Sequence, residues 1–224
     1  MDQGNTAFVL ISAALVLLMT PGLAFFYGGM VKAKSVVSMM MLSFGSLGLI
    51  AVLWVLYGYA IAFSNGGSAT YQGIDGWFGI DTNFIGLQQQ VQEALNPVEG
   101  AAFPSLAFVS FQATFAIITV ALISGAIADR AKFGAWMVFA GLWATIVYFP
   151  VANWVFNFTL TDGKVTDGGW IVYGLGVIDF AGGTAVHINA GAAGLALAIV
   201  LGKRFGFSKG ITQPHNVPLT LLGA

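Results

Sequence analysis

Asp179 and His187 stand eight residues apart at the head of an apolar stretch, Asp179-Phe-Ala-Gly-Gly-Thr-Ala-Val-His187-Ile-Asn189-Ala-Gly-Ala-Ala-Gly194, which runs on to Lys203-Arg204. The 23 residues between Asp179 and Lys203 carry no charge, a length that crosses a bilayer as a helix. Acid at the start and base at the end suit the helix dipole, and Asp179 is placed to cap free N–H groups. An ionisable residue inside such a segment is costly, which makes His187 a functional candidate by default. Apolar burial disfavours the charged imidazole, and the neutral ring offers one donor and one acceptor. That suits a small neutral polar molecule better than a bare cation. The competing reading is a histidine hydrogen-bonded between helices.

Gly183, His187 and Gly191 recur at spacing four and predict one helix row in which glycine leaves the imidazole unflanked. On a continuous α-helix Asp179 and His187 would lie about 80° apart round the axis, which argues against a direct pair. Asp179 then belongs to the outer mouth and the helix start, and His187 to the interior. Two further phenylalanines, Phe111 and Phe115, are four apart and share a helix face. Phe115 lies roughly 16 Å inside Pro104 at helical rise, and His187 roughly 12 Å inside Asp179. Similar depth allows the rings and the imidazole to line one passage, although lipid-facing or packing aromatics fit the same spacing. Phe26 and Tyr27 carry the same two readings, pore lining or interfacial belt. No second His, Cys or carboxylate stands near His187, so no metal site is expected. Nucleophile–base pairs, phosphate loops and nucleotide motifs are likewise not found, so the sequence predicts neither an enzyme nor a cofactor.

These residues need helices to hold them, and the composition says where the helices sit. Hydrophobic residues make up 58% of the 224 and charged residues only 8%, against roughly 25% charged in an ordinary globular domain. Such a chain cannot cover itself with a solvated shell. The fold class is all-α integral membrane. Net charge is −1, which gives no sign of nucleic-acid binding, and the absence of cysteine rules out disulfides and thiolate metal sites. The first apolar run lacks a basic leader and reads as a mature span rather than a signal peptide. Charges divide the chain into five expected spans, at about 6–27, 36–63, 104–128, 133–155 and 181–202, each longer than the ~20 residues a crossing needs. Residues 219–224 read as the start of a sixth, so the chain is expected to be part of a longer protein.

Lys32, Lys34, Arg130, Lys132, Lys203, Arg204 and Lys209 fall after spans 1, 3 and 5, and only Lys164 falls on the other side. This positive-inside bias places the N-terminus outside and the loop after span 5 in the cytoplasm. Asp75, Asp81, Glu93, Glu99, Asp162 and Asp167 then face outward and form a mildly acidic outer surface. Within the long outer loop, Gly66-Gly67 and Gly76 are turn signals and Phe84–Leu95 reads as a short surface helix. Span 4 ends in Tyr148-Phe149-Pro150-Val-Ala-Asn153-Trp154-Val-Phe156, whose aromatics read as an interface belt or as faces for a desolvating cation. His215, in the turn Gln213-Pro214-His215-Asn216, has no expected role.

Asp179–Gly194 with Gly202-Lys-Arg204, the Phe26-Tyr27-Gly-Gly end of span 1, Phe111-Gln112-x-x-Phe115 and Gln213-Pro-His-Asn216 together resemble the ammonium transporter family (Amt/Mep/Rh). The resemblance implies the first half of an eleven-helix fold built from two inverted repeats. It implies a homotrimer in the cell membrane with a pore in each subunit, with ammonium or ammonia as the substrate. A cytoplasmic PII-type regulator is the partner it suggests. By position it implies that Asp179 stands near the outer recruitment site and that His187 is the first of two pore histidines. In the same way Phe115 is the outer phenyl gate with Phe111 one turn above it, and Phe26 is an inner pore aromatic. Phe156 stands where many members have a recruiting tryptophan, and its cation–π face is the weaker one. Alternatives that keep the same fold are an Rh-like ammonia or carbon dioxide channel, an ammonium sensor, and an inactive truncated product.

Overall fold

Five long helices dominate the computed structural model, which describes residues 1–64, 68–92, 103–204, 207 and 213–224. They are α1 (Gln3–Met30), α2 (Ala33–Ala62), α4 (Ser105–Ile127), α5 (Phe133–Phe156) and α6 (Gly183–Leu201), all long and apolar enough to span a membrane. The short α3 (Gln88–Gln92) lies in the outer loop, and α7 (Val217–Gly223) is the last element. Glu93, Glu99, Lys209, Gly66-Gly67 and the end of the Phe84–Leu95 segment lie outside the described residues.

In hydrocarbon there is no apolar gain from bringing apolar helices together, so close packing and inter-helix hydrogen bonds must hold them. The chain supplies both. Helix α4 is the most buried and packs against α1, α2 and α6, while α2 also packs against α5. The fully buried Trp54 donates from Nε1 to the Val109 carbonyl at 3.2 Å, and Trp136 donates to the Leu42 carbonyl and Ser46 Oγ, both at 3.0 Å. Trp54 stands edge-on to Tyr59, Phe63 and Phe149 with centroids 5.7–6.2 Å apart, within the range of favourable aromatic pairs. Phe149 reaches this cluster because residue 58 is glycine: a Cβ there would meet the Phe149 ring at 2.6 Å.

Helices α2, α5 and α6 each contain a wider π-turn, at Trp54–Gly58, Ala144–Tyr148 and Gly183–Ile188. The first two face each other across the Trp54–Phe149 contact. Tyr148 and Phe149, expected at an interface belt, are therefore fully buried core residues. Glycine at 58 opens the space, and the π-turns rotate the large rings into it.

Two short antiparallel hairpins are added outside the helices. One pairs β1 (Tyr71–Ile74) with β2 (Phe78–Asp81), the other β3 (Phe158–Thr161) with β4 (Lys164–Gly168). Asp81 is not part of an acidic surface. It is buried and accepts from Thr70 Oγ1 at 2.5 Å and the Asn83 amide at 3.0 Å, which fixes the loop after β2. His215, for which no role was expected, binds the Val31 carbonyl through Nδ1 at 2.8 Å and pins the chain before α7 to the end of α1.

Replacing Gly58 by alanine should cost about 1–3 kcal/mol through overpacking, despite alanine's better helix propensity. Gly48→Ala should be neutral or slightly stabilising, because nothing lies within 4 Å of the added Cβ. Thermal unfolding of the two variants in the full-length protein checks the contrast.

Candidate functional site

Asp179 builds the start of α6. Its Oδ1 accepts from the Gly183 amide at 2.7 Å, and its Oδ2 accepts from Thr184 and Ala185 at 2.8 and 3.0 Å. Three of the orphan N–H groups of the helix start are thereby satisfied by one side chain. The residue stands outside the helix, not on it: Gly182 at φ +80° turns the chain, and the first regular turn begins at Gly183. The angle expected from a continuous α-helix between Asp179 and His187 therefore does not apply. Both Val186 and His187 donate their amides to the Gly182 carbonyl, at 2.9 and 3.0 Å, which closes the wide π-turn carrying the histidine. Such turns recur at functional sites, since they re-aim one side chain within a helix.

His187 is exposed in this chain, where a buried ring was expected. The glycines beside it explain part of the difference. A Cβ at Gly191 would meet nothing within 4 Å, and one at Gly183 only Asp179, at 3.9 Å. The ring faces a cavity of about 430 Å³ whose walls include Phe26, Phe115, Ile118, Leu122 and Val186, with Gly223 and Ala224 of α7 at its edge. Apolar side chains form most of that wall.

On α4 the rings of Phe108, Phe111 and Phe115 follow one another at spacings of three and four. Phe111 and Phe115 meet edge to face, with centroids 4.9 Å apart and planes at 81°. The hydroxyls of Thr114 and Thr119 turn back and donate to the carbonyls of Phe111 and Phe115, both at 2.6 Å. The hydroxyls of Thr114 and Thr119 are thus used internally, and the helix presents these rings together with Gln112. A second cavity of about 510 Å³ lies outside the first and is lined by Phe108, Phe111, Gln112, Phe115, Phe156 and Asp179, with further residues of the outer loops.

The six candidate residues thus fall around two adjoining cavities. Asp179, Phe111 and Phe156 line the outer one, Phe26 and His187 the inner one, and Phe115 lines both. The neighbours Phe26 and Tyr27 separate in role. Tyr27 donates its hydroxyl to the Leu122 carbonyl at 3.0 Å and packs on Gly125, where a Cβ would meet its ring at 2.6 Å. Phe26 is left facing the cavity.

Phe108 and Gln112 were not singled out from the sequence, although a helix wheel through Phe111 and Phe115 passes close to both. A trio of tryptophans that joins the end of α5 to the outer loops had no such signal. Trp77 and Trp170 stack at 5.0 Å with planes 5° apart, and Trp154 stands across both. Asn153 donates to the carbonyls of Ile61, Ala62 and Ser64, and Asn157 also donates to Ser64. These contacts tie the end of α5, which bears Phe156, to the end of α2. They join residues more than 70 positions apart, which no local pattern reveals. Among the described residues no group of three or more His, Cys, Asp or Glu is placed to hold a metal ion.

A family model described as the Ammonium Transporter Family matches residues 7–224. An ammonium transporter of Mycobacterium tuberculosis is 56% identical over 230 residues, covering all of this chain and 47% of the relative. The crystal structure of Saccharomyces cerevisiae Mep2 superposes with TM-score 0.79 and 32% identity, over 100% of this chain and 47% of that one. A structure described as a sensor Amt protein superposes with TM-score 0.80 and 25% identity, over 98% of this chain and 50% of the other. The chain spans about half the length of the curated relatives it matches.

Asp179→Ala should destabilise the full-length protein by about 1–3 kcal/mol, since it strips three N–H groups of their acceptor. Asp179→Asn, which keeps one carbonyl oxygen, should lose roughly half as much. Thermal unfolding of the two variants checks the ranking.

Proposed function

The chain belongs to the ammonium transporter family, and from that premise we propose that it provides the recruiting mouth and one wall of a passage for ammonium nitrogen across the membrane. The observation that carries this reading is Phe115 standing between two cavities, with Phe156 and Asp179 on one side and His187 on the other. Ammonium docks in the outer cavity against the faces of Phe111, Phe115 and Phe156, where ring quadrupoles attract a cation. Asp179 acts there through its field and through the helix start it builds, because both its oxygens are already engaged by amides. Past Phe115 the walls are apolar. An ammonium ion would lose its hydration there with few polar groups in return, a cost that giving up the proton avoids. Ammonia then passes His187, whose neutral ring supplies one donor and one acceptor.

The membrane arrangement belongs to the same proposal. Lys32, Lys34 and Lys132 gather around one groove, and Arg130, Lys203 and Arg204 around another. The positive-inside bias makes that end cytoplasmic and the N-terminus external. Assembly as a homotrimer and control by a cytoplasmic PII-type protein complete the proposal on family membership alone. A second reading, ammonium sensing on the same scaffold, is favoured by the superposition on a sensor Amt protein.

In the full-length protein, His187→Ala should reduce methylammonium uptake to background or change its selectivity over other small amines. Uptake and selectivity equal to the parent would remove His187 from the passage. An ammonium-dependent signal without methylammonium uptake in the parent protein would favour the sensing reading.

A further inference from the structure

We propose that the β3–β4 hairpin is an affinity-determining wall of the outer cavity, whose apolar face keeps water from the phenyl rings against which a small ammonium ion docks. The inference rests on the recruiting mouth proposed above. The hairpin is specified locally. Thr161 pairs with Lys164, so the loop is Asp162-Gly163, with φ of +51° and +73°. Two positive values in succession are those of a type I′ turn, for which Asp-Gly is a preferred pair. Alternation along the strands then separates two faces. Phe158, Leu160 and Val165 are half-buried and, with Gly163, line the outer cavity of about 510 Å³. Leu160 and Val165 are cross-strand partners. Thr159, Thr161 and Thr166 are exposed, and the hydroxyls of Thr161 and Thr166 pair with each other at 3.1 Å. Asp162, Lys164 and Asp167, the charged residues of the hairpin, do not line the cavity.

A two-stranded hairpin is marginal by itself in water, and this one is fixed at its base. The Gly169 amide donates to the Asn157 carbonyl at 2.9 Å, and the Trp170 amide donates to the Gly76 carbonyl at 3.0 Å. Gly168 has φ +148°, and a Cβ there would stand 2.5 Å from the Asn157 carbonyl oxygen, so glycine lets β4 return against the end of α5. Asn157 in turn donates to the Ser64 carbonyl. Since β3 begins two residues after Phe156, the same anchor holds the wall and the ring. The lining of the cavity combines this apolar face with Phe111, Phe115 and Phe156, and its polar side chains are Gln112 and Asp179. Attraction of a cation to a ring face is weak where the ring is wet and stronger where water is removed. The wall therefore strengthens docking without touching the cation through any polar group.

The test is isothermal titration of the full-length protein with methylammonium chloride at constant ionic strength, paired with methylammonium uptake. L160N/V165T, which makes the pair polar at nearly constant volume, should weaken binding by about fivefold to tenfold. It should raise the uptake KM by the same factor and leave the maximal rate unchanged, because the inner cavity is untouched. V165T alone, the gentler change, should give a smaller loss in the same direction. L160M/V165I keeps the face apolar and should bind as the parent does. T161A/T166A removes the outward hydroxyl pair, loosens the hairpin without altering the lining, and should also bind as the parent does. Unchanged binding in both L160N/V165T and V165T overturns the proposal. An equal loss in T161A/T166A overturns it too, since the stability of the hairpin would then matter and not its apolar face. A parent that binds methylammonium without carrying it removes the passage and leaves the wall standing, whereas a parent that does not bind it removes both.

Discussion

In a bilayer core there is no water to satisfy a backbone group left open, so every departure from a regular helix must be answered from within the protein. This constraint explains most of the specific contacts of the chain. Trp54 and Trp136 reach carbonyls on neighbouring helices, Tyr27 reaches Leu122, and Asn153 collects three carbonyls where α2 ends. Arg130 does the same at the other end and donates to the carbonyls of Ala126 and Gly202, joining α4 to α6. Each bond satisfies a polar group and also fixes the distance and rotation between two spans. Glycine then sets how closely they approach, as at Gly58 against Phe149 and Gly125 against Tyr27.

The candidate passage follows from the same rule. Hydroxyls near the cavities turn back on their own helices, as Thr114 and Thr119 do, and Asp179 spends both oxygens on amides. Aliphatic side chains and phenyl rings form most of the remaining boundary, with His187 as the ionisable side chain of the inner wall. In the proposed passage, an apolar wall interrupted by one imidazole would discriminate by desolvation, because burial in such surroundings penalises charge far more than it penalises a small dipole. The outer cavity differs in its walls, where several ring faces converge near a carboxylate. Phe115 lines both cavities, and in the proposed function this single residue on α4 divides the place for the cation from the place for the neutral molecule.

Much of this was legible before any coordinates. Charges bracket the apolar runs because each charge left in hydrocarbon is costly, so the five spans could be read directly. Asp179 announced its capping role through its place ahead of a long uncharged run. His187 stood out because ionisable residues are rare in such runs, and Phe111 and Phe115 because four residues make one helical turn. The readings that changed depended on neighbours from elsewhere in the chain. Tyr148 and Phe149 read as an interface belt, but Gly58, some 90 residues earlier, opens a notch that takes the Phe149 ring into the core. Asp81 read as a surface charge, but Thr70 and the turn after β2 bury it.

By itself the sequence determined a membrane chain of five long helices, its orientation bias and the residue types available for chemistry, but not the two outer hairpins. These follow from solvation, which acts on each residue and its near neighbours alone. Tertiary structure decided which aromatics line a cavity and which fill the core. It also turned the chain at Gly182 between Asp179 and the helix, and placed His187 on a π-turn facing a cavity. Those outcomes depend on the rotation of each helix about its axis, and rotation is set by where a glycine on one helix meets a ring on another.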